Sequence, residues 1–265
     1  MAAMQDVCVD LATEGTALAR LVAGLSPGEW RAPTPAPGWT VRHQVAHLAQ
    51  VSRLIDLGVR DPAAFEAATA PVREDFEAGM AAGLADRLAE PVPELLRHWD
   101  EWRAAAGKGL AATPRRDPVP WLAGPLPAGV LAAVGLMELF AHGQDVHEAL
   151  GAPYAFTDRI GHIAFLGTRT RDLAYRARGL RPPAEPFRFE LTAPSGTVWT
   201  FGPDDAEQRI SGPAADFCLL VTRRRHRDDL ALTAAGAAAD HWLDIAQTYL
   251  GTPGAGPRRI GQSRV

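Results

Sequence analysis

Residues 136–150, LMELFAHGQDVHEAL, narrow the choice of folds more than any other run in the chain. The apolar positions lie almost all round a helical wheel, so a helix here has to be buried on most sides, as in a bundle. Yet Glu138, His142 and Asp145 fall in one row at i, i+4 and i+7. An ionised carboxylate taken out of water without a partner costs several kcal/mol or shifts its pKa upward. A divalent cation held between Glu138 and His142 would remove that cost. A plain Glu–His hydrogen bond would also reduce it, so this pair alone leaves both readings open.

The rest of the pattern predicts mostly helix. Helices are expected over 4–24, over about 40–60 behind the N-cap Thr40, over 84–106, over 128–150 ending at Gly151, and over 158–178. Ser26-Pro27-Gly28-Glu29 reads as a capping box that starts a short turn around Trp30. Residues 62–81 are expected as one or two short helices, and the proline-rich stretch 113–127 as a long loop. After Gly179 the character changes. Pro182, Pro183 and Pro186 read as a linker, and FRFELTAPSGTVWTFG as two strands about a Pro-Ser-Gly turn. A third strand near 209–211, a helix in AADFCLLVTR and a last helix near 234–249 complete the layout. The expected fold is α+β and mainly α: a helical bundle over 1–180, a small α+β domain over 181–255, and a loose tail over 256–265.

Bulk properties exclude several classes of function. The net charge of -4 argues against nucleic acid as the main partner. The two cysteines, Cys8 and Cys218, allow neither a disulfide framework nor a cysteine-rich zinc motif, and both read as small core residues. No run of about 18 apolar residues predicts a membrane span. The start MAAMQDVCVDLATEG lacks the features of a signal peptide, so a cytoplasmic location is expected. Arginine almost replaces lysine, with Lys108 the sole lysine, a composition compatible with a high-GC bacterial host.

A second histidine joins the first pair through a wider pattern. His47 lies within the apolar arc of the helix at 40–60, on the side of Val51 and Leu54, where a histidine is more often a hydrogen-bonded core residue than a ligand. However, Pro37-Gly38-Trp39-Thr40-Val41-Arg42 leading into Ala46-His47-Leu48-Ala49, followed much later by Glu138-x-x-x-His142-x-x-Asp145, resembles the DinB-like metalloprotein superfamily, in its mycothiol-dependent maleylpyruvate isomerase branch. The C-terminal hairpin ending WTFG and the run ISGPAADFCLLVTRR are also similar to the small second domain of that branch, so the resemblance covers most of the chain.

That resemblance implies a DinB-like four-helix bundle and a metal site formed by His47, Glu138 and His142, with zinc expected and nickel, iron, manganese or cobalt as alternatives. Three protein ligands leave a position open, as in catalytic zinc sites. It implies Asp145 as an outer partner that orients a ligand imidazole or an arginine, with a helix-end salt bridge as the other reading, and Arg224, the middle of Arg223-Arg224-Arg225, as the catalytic arginine that meets an anionic substrate, with a solvated basic helix end as the ordinary reading. His43 stands where the family often has an acid that would complete the helix cap; it reads as a weaker cap or as a substrate contact. Arg115, Arg116 and Trp121 are further candidates for substrate contact, with surface arginines as the ordinary reading. Trp30, Trp39, Trp99 and Trp102 read as core.

The function implied is a thiol-using transferase or isomerase, with mycothiol as cosubstrate and a small electrophile as substrate. Two other readings stand beside it: hydrolysis or lyase chemistry through metal-activated water, and a metal- or ligand-binding protein without turnover. The chain is expected as a monomer or a homodimer.

Overall fold

Four helices fix the frame of the N-terminal part: α1 (Val7–Ala23), α3 (Val41–Arg60), α6 (Val92–Ala112) and α7 (Ala128–Ala149). In the computed structural model, which describes residues 6–261, α3 packs on α6 and α7, and α1 packs on the same two helices, closing a four-helix bundle. The expected start of the first helix at residue 4 lies outside the described residues. One layer of the core gathers Leu18, Val45, Leu48, Leu95, Trp99 and Val146; another gathers Val51, Ile55, Leu110, Leu131 and Ala132. α7 is buried on nearly every side, as its composition requires.

Between α3 and α6 the chain departs from expectation. Asp61 caps α4 (Pro62–Glu74) by accepting the Ala64 N–H, and Asp75 caps α5 (Phe76–Ala89) by accepting the Ala78 N–H. The helix expected over 84–106 is split between α5 and α6, because Pro91 forces Glu90 into extended backbone with ψ 140. Arg42 of α3 donates to the carbonyls of Leu88 and Glu90, satisfying the end of α5. The short helix α2 (Pro27–Trp30) carries the expected capping box, with Ser26 and Glu29 bonded reciprocally. The proline-rich loop holds a two-strand pairing of β1 (Pro118–Val119) with β2 (Leu126–Pro127).

The chain forms two compact units, Met1–Tyr154 and Ala155–Val265. The sequence expectation set the domain border at 180/181. In the structure the segment expected as one helix over 158–178 belongs to the second unit and is broken into a 3-10 turn, α8 (Gly161–Arg169) and α9 (Arg171–Arg176). Thr170 stands at that break, its hydroxyl bonded to the Leu166 carbonyl and to Thr248.

In the second unit β3 (Phe187–Thr192) pairs antiparallel with β4 (Val198–Phe201) and parallel with β5 (Gln208–Pro213), and β6 (Thr233–Ala235) closes the order β4-β3-β5-β6. Phe187, Phe189 and Leu191 are buried together on one face, as their alternation predicts. Phe189 packs with Phe217 of α10 (Ala214–Val221), and Phe187 and Phe189 both pack with Trp242 of α11 (Ala237–Ile245). The last helix is shorter than the expected 234–249, since β6 takes its beginning. Residues 252–261 form no helix or strand, but Ile260 N–H donates to Asp229. No helix among the described residues is long and apolar enough to cross a membrane.

Candidate metal centre

The entry to α3 shapes the site. Gly38, at φ 78, turns the chain so that Thr34 N–H meets the Trp39 carbonyl, and Val41 N–H meets that of Ala32. Thr40 then caps α3, and His43 serves the cap: its Nδ1 accepts the Thr40 N–H at 3.2 Å and lies 2.8 Å from the Thr40 hydroxyl. An imidazole thus takes the part that an acid plays in the usual capping box.

One turn later, His47 projects toward α7. Its Nε2 stands 3.2 Å from Glu138 Oε2, and His142 Nε2 stands 3.3 Å from the same oxygen. The two imidazole centroids are 4.3 Å apart. The side chains keep 16%, 17% and 12% of their surface for His47, Glu138 and His142, so solvent or a small ligand can reach the group. Burial pushes the Glu138 carboxyl up, but the hydrogen bonds of His142 and His47, and then their charges, outweigh it. The group is held well below the usual carboxylate range and is ionised at neutral pH.

The donor set fits one divalent cation. The three ligand atoms lie within 4.8 Å of one another. Neighbouring ligands on a tetrahedral zinc, with bonds of 2.0–2.1 Å, stand about 3.3 Å apart. The two Glu–His distances are 3.2 and 3.3 Å. Two imidazoles and a carboxylate suit zinc and the later first-row metals.

Three neighbours escaped the sequence reading. Trp39 is not core: it is half-buried, with its ring 5.6 Å from His47, 5.8 Å from His142 and 6.1 Å from His43. Gln44 is fully buried, and its Oε1 stands 2.5 Å from His142 Nδ1. Thr34, also buried, accepts from Gln44 Nε2 at 2.9 Å. The signal for Gln44 was a polar residue one turn from His47 on an otherwise apolar helix face.

The other candidates lie elsewhere. Asp145 is 2% exposed within α7. The Arg115 side chain lies along Gly129, about 14 Å of helix from Glu138. Arg116 beside it is exposed. Trp121 stacks on Phe65, and its neighbour Pro120 abuts Gly58, about 16 Å of helix beyond His47. The structure therefore does not gather these three at the triad. Arg224 belongs to the second unit, where its N–H closes on Leu219 O and its guanidinium donates to Thr222 O. Trp30 and Trp99 are core, as expected. Cys218 is buried, with its thiol pushed up by burial, and Cys8 is half-buried with its thiol also raised, chiefly by burial, which speaks against either as a nucleophile.

The family model described as the mycothiol maleylpyruvate isomerase N-terminal domain matches residues 11–147, a span that holds the whole triad. A second model, described as wyosine base formation, matches residues 183–235. An uncharacterized protein of Mycobacterium tuberculosis, from strain CDC 1551 / Oshkosh and from strain ATCC 25618 / H37Rv, is 45% identical over 249 residues, covering 93% of this chain and 96% of the relative. Two crystal structures of the mycothiol-dependent maleylpyruvate isomerase, one of a point mutant, superpose with TM-scores of 0.52 and 0.54 at 18% and 17% identity. Each covers 82% of this chain and 88% of the other, a likeness of fold.

Proposed function

Because this chain belongs to the mycothiol maleylpyruvate isomerase family through its N-terminal domain, we propose that it is a metal-dependent transferase or isomerase that uses a thiol, mycothiol by family, on a small anionic electrophile. The observation that carries this reading is the convergence of His47 and His142 on one oxygen of Glu138 at the spacing of ligands around a single cation. Zinc suits the set best; nickel, iron, manganese and cobalt share its donor preferences. A divalent cation held by His47, Glu138 and His142 would lower the pKa of a thiol and so supply thiolate at neutral pH.

The chain's own groups do the rest. Glu138 is ionised and would offset part of a bound cation's charge. The half-buried Trp39 ring beside the imidazoles offers a flat apolar wall against which a planar conjugated substrate can lie. The thiolate forms a C–S bond at the alkene carbon β to a carbonyl while the π electrons move to the carbonyl oxygen. Rotation about the former double bond, return of the electrons and loss of thiolate give isomerisation. Proton uptake at the α-carbon instead keeps the C–S bond and gives transfer. Arg224 is assigned to the substrate's negative charge on its chemistry and the family resemblance; Arg224→Ala is expected to raise KM while leaving metal content unchanged.

The deciding experiment pairs elemental analysis with turnover. Wild-type protein is expected to carry one divalent cation per chain and, loaded with zinc, to turn over members of a panel of electrophiles, maleylpyruvate included, only when mycothiol is present. His47→Ala is expected to lose both. Full metal retention by His47→Ala would overturn the site, and equal turnover without thiol would replace thiol chemistry by water activation.

A further inference from the structure

We infer that Gln44 is a positioning residue that fixes the tautomer of His142 and so decides which ring nitrogen faces Glu138 and His47. The inference rests on the metal reading for its purpose, but its geometry stands apart from it. Gln44 sits at 0% exposure, so both ends of its amide have to find partners inside the protein. The Thr34 hydroxyl has one hydrogen, which it gives to the Trp39 carbonyl at 3.1 Å. Toward Gln44 that hydroxyl can only accept, and it does so from Nε2 at 2.9 Å. The amide is thereby oriented, and its Oε1 is left facing His142 Nδ1 at 2.5 Å. A carbonyl oxygen only accepts, so Nδ1 has to carry the proton.

With a second proton on Nε2 the 3.3 Å contact to Glu138 Oε2 is the hydrogen bond described above; when that proton leaves, the neutral ring presents its Nε2 lone pair on the Glu138 side. A lone pair aimed at a carboxylate oxygen is repulsive unless a proton or a cation lies between them. The chain Trp39 carbonyl, Thr34, Gln44, His142 therefore prepares Nε2 as a ligand and orients the ring, the part that outer hydrogen bonds play around metal-bound imidazoles. It also ties the loop that carries Trp39 to the same imidazole, so that the apolar wall and the ligand share one support.

The test has two readouts. In metal-free wild-type protein with labelled histidine, two-bond 1H–15N spectra, recorded at a pH high enough to leave the ring neutral, are expected to show His142 protonated at Nδ1. Gln44→Met keeps the volume but removes the strong acceptor. It is expected to mix the tautomers and to weaken zinc binding about 10- to 100-fold in chelator competition. Gln44→Glu restores an acceptor and is expected to bind zinc at least as tightly as wild type, a rescue that mere space-filling would not give. A proton on Nε2 in the wild type, or zinc affinity unchanged in Gln44→Met, would overturn the role of Gln44. Failure of the wild type to bind zinc would sink the metal reading alone, and the spectra would still decide the tautomer.

Discussion

His142 and His147 share α7 yet meet different surroundings. His142 lies between Glu138 and Gln44, whereas His147 packs edge-on against the Tyr154 ring at 4.9 Å. Burial favours the neutral form of His147 and holds its pKa below the ordinary 6.5. The unfolded chain therefore binds more protons between the two values, and stability falls as pH drops below about 6.5. We expect His147→Gln to flatten the stability difference between neutral and mildly acid pH in urea unfolding; an unchanged slope would remove His147 as its source. The Glu138–His142 spacing was legible in the sequence because a helix repeats every 3.6 residues. Gln44 and Thr34 were not, because their bond joins a helix to a loop whose path no periodicity describes. Trp39 was misread for a related reason: a tryptophan just before a cap can turn inward or over the helix, and only the Gly38 turn decides.

At the scale of the elements, close approach of backbones sets what each helix tolerates. A Cβ on Gly58 of α3 would stand 2.8 Å from the Pro120 carbonyl and 3.4 Å from Val119 Cγ1. The helix propensity gained by Gly58→Ala, about 1 kcal/mol, is smaller than overpacking against backbone, about 1–3 kcal/mol. The variant is expected to lose stability in denaturant titration, while zinc affinity stays at the wild-type level because the triad lies farther along the helix. Gly107→Ala in α6 is the control: nothing lies within 4 Å of its new Cβ, so a gain of up to about 1 kcal/mol is expected. A loss at Gly107 would show that propensity does not govern that position. The helices around the triad were readable because caps and apolar stripes agree. The break at Glu90-Pro91 was lost because the leucines on either side keep an apparently continuous stripe, although proline denies Glu90 a helical backbone.

For the whole molecule, the triad lies entirely within one of two compact units, each with its own apolar core. Zinc at about a hundred times its Kd stabilises the fold that binds it by about 2.7 kcal/mol. Hydrogen exchange is expected to slow on zinc addition in α3 and α7, with β3 to β6 changing much less; equal protection across the sheet would mean that the units open together. The character change after Gly179 revealed the small α+β part in the sequence. It did not show that α8 and α9 pack with that part, because Gly167 closing on Phe217 and Val221 is a long-range fit between residues far apart in the chain.

The indole of Trp39, within about one ring-width of both candidate ligand imidazoles, also makes the site self-reporting. Cobalt, which shares zinc's donor preferences, has partly filled d orbitals that accept excitation energy from a nearby indole, whereas zinc has none. Titrating cobalt into the protein should therefore dim its ultraviolet emission in step with occupancy, and zinc should displace the cobalt and restore the light. Trp39→Phe should remove most of that signal even though the other tryptophans remain. Filling of the centre could then be followed in real time without attaching any label.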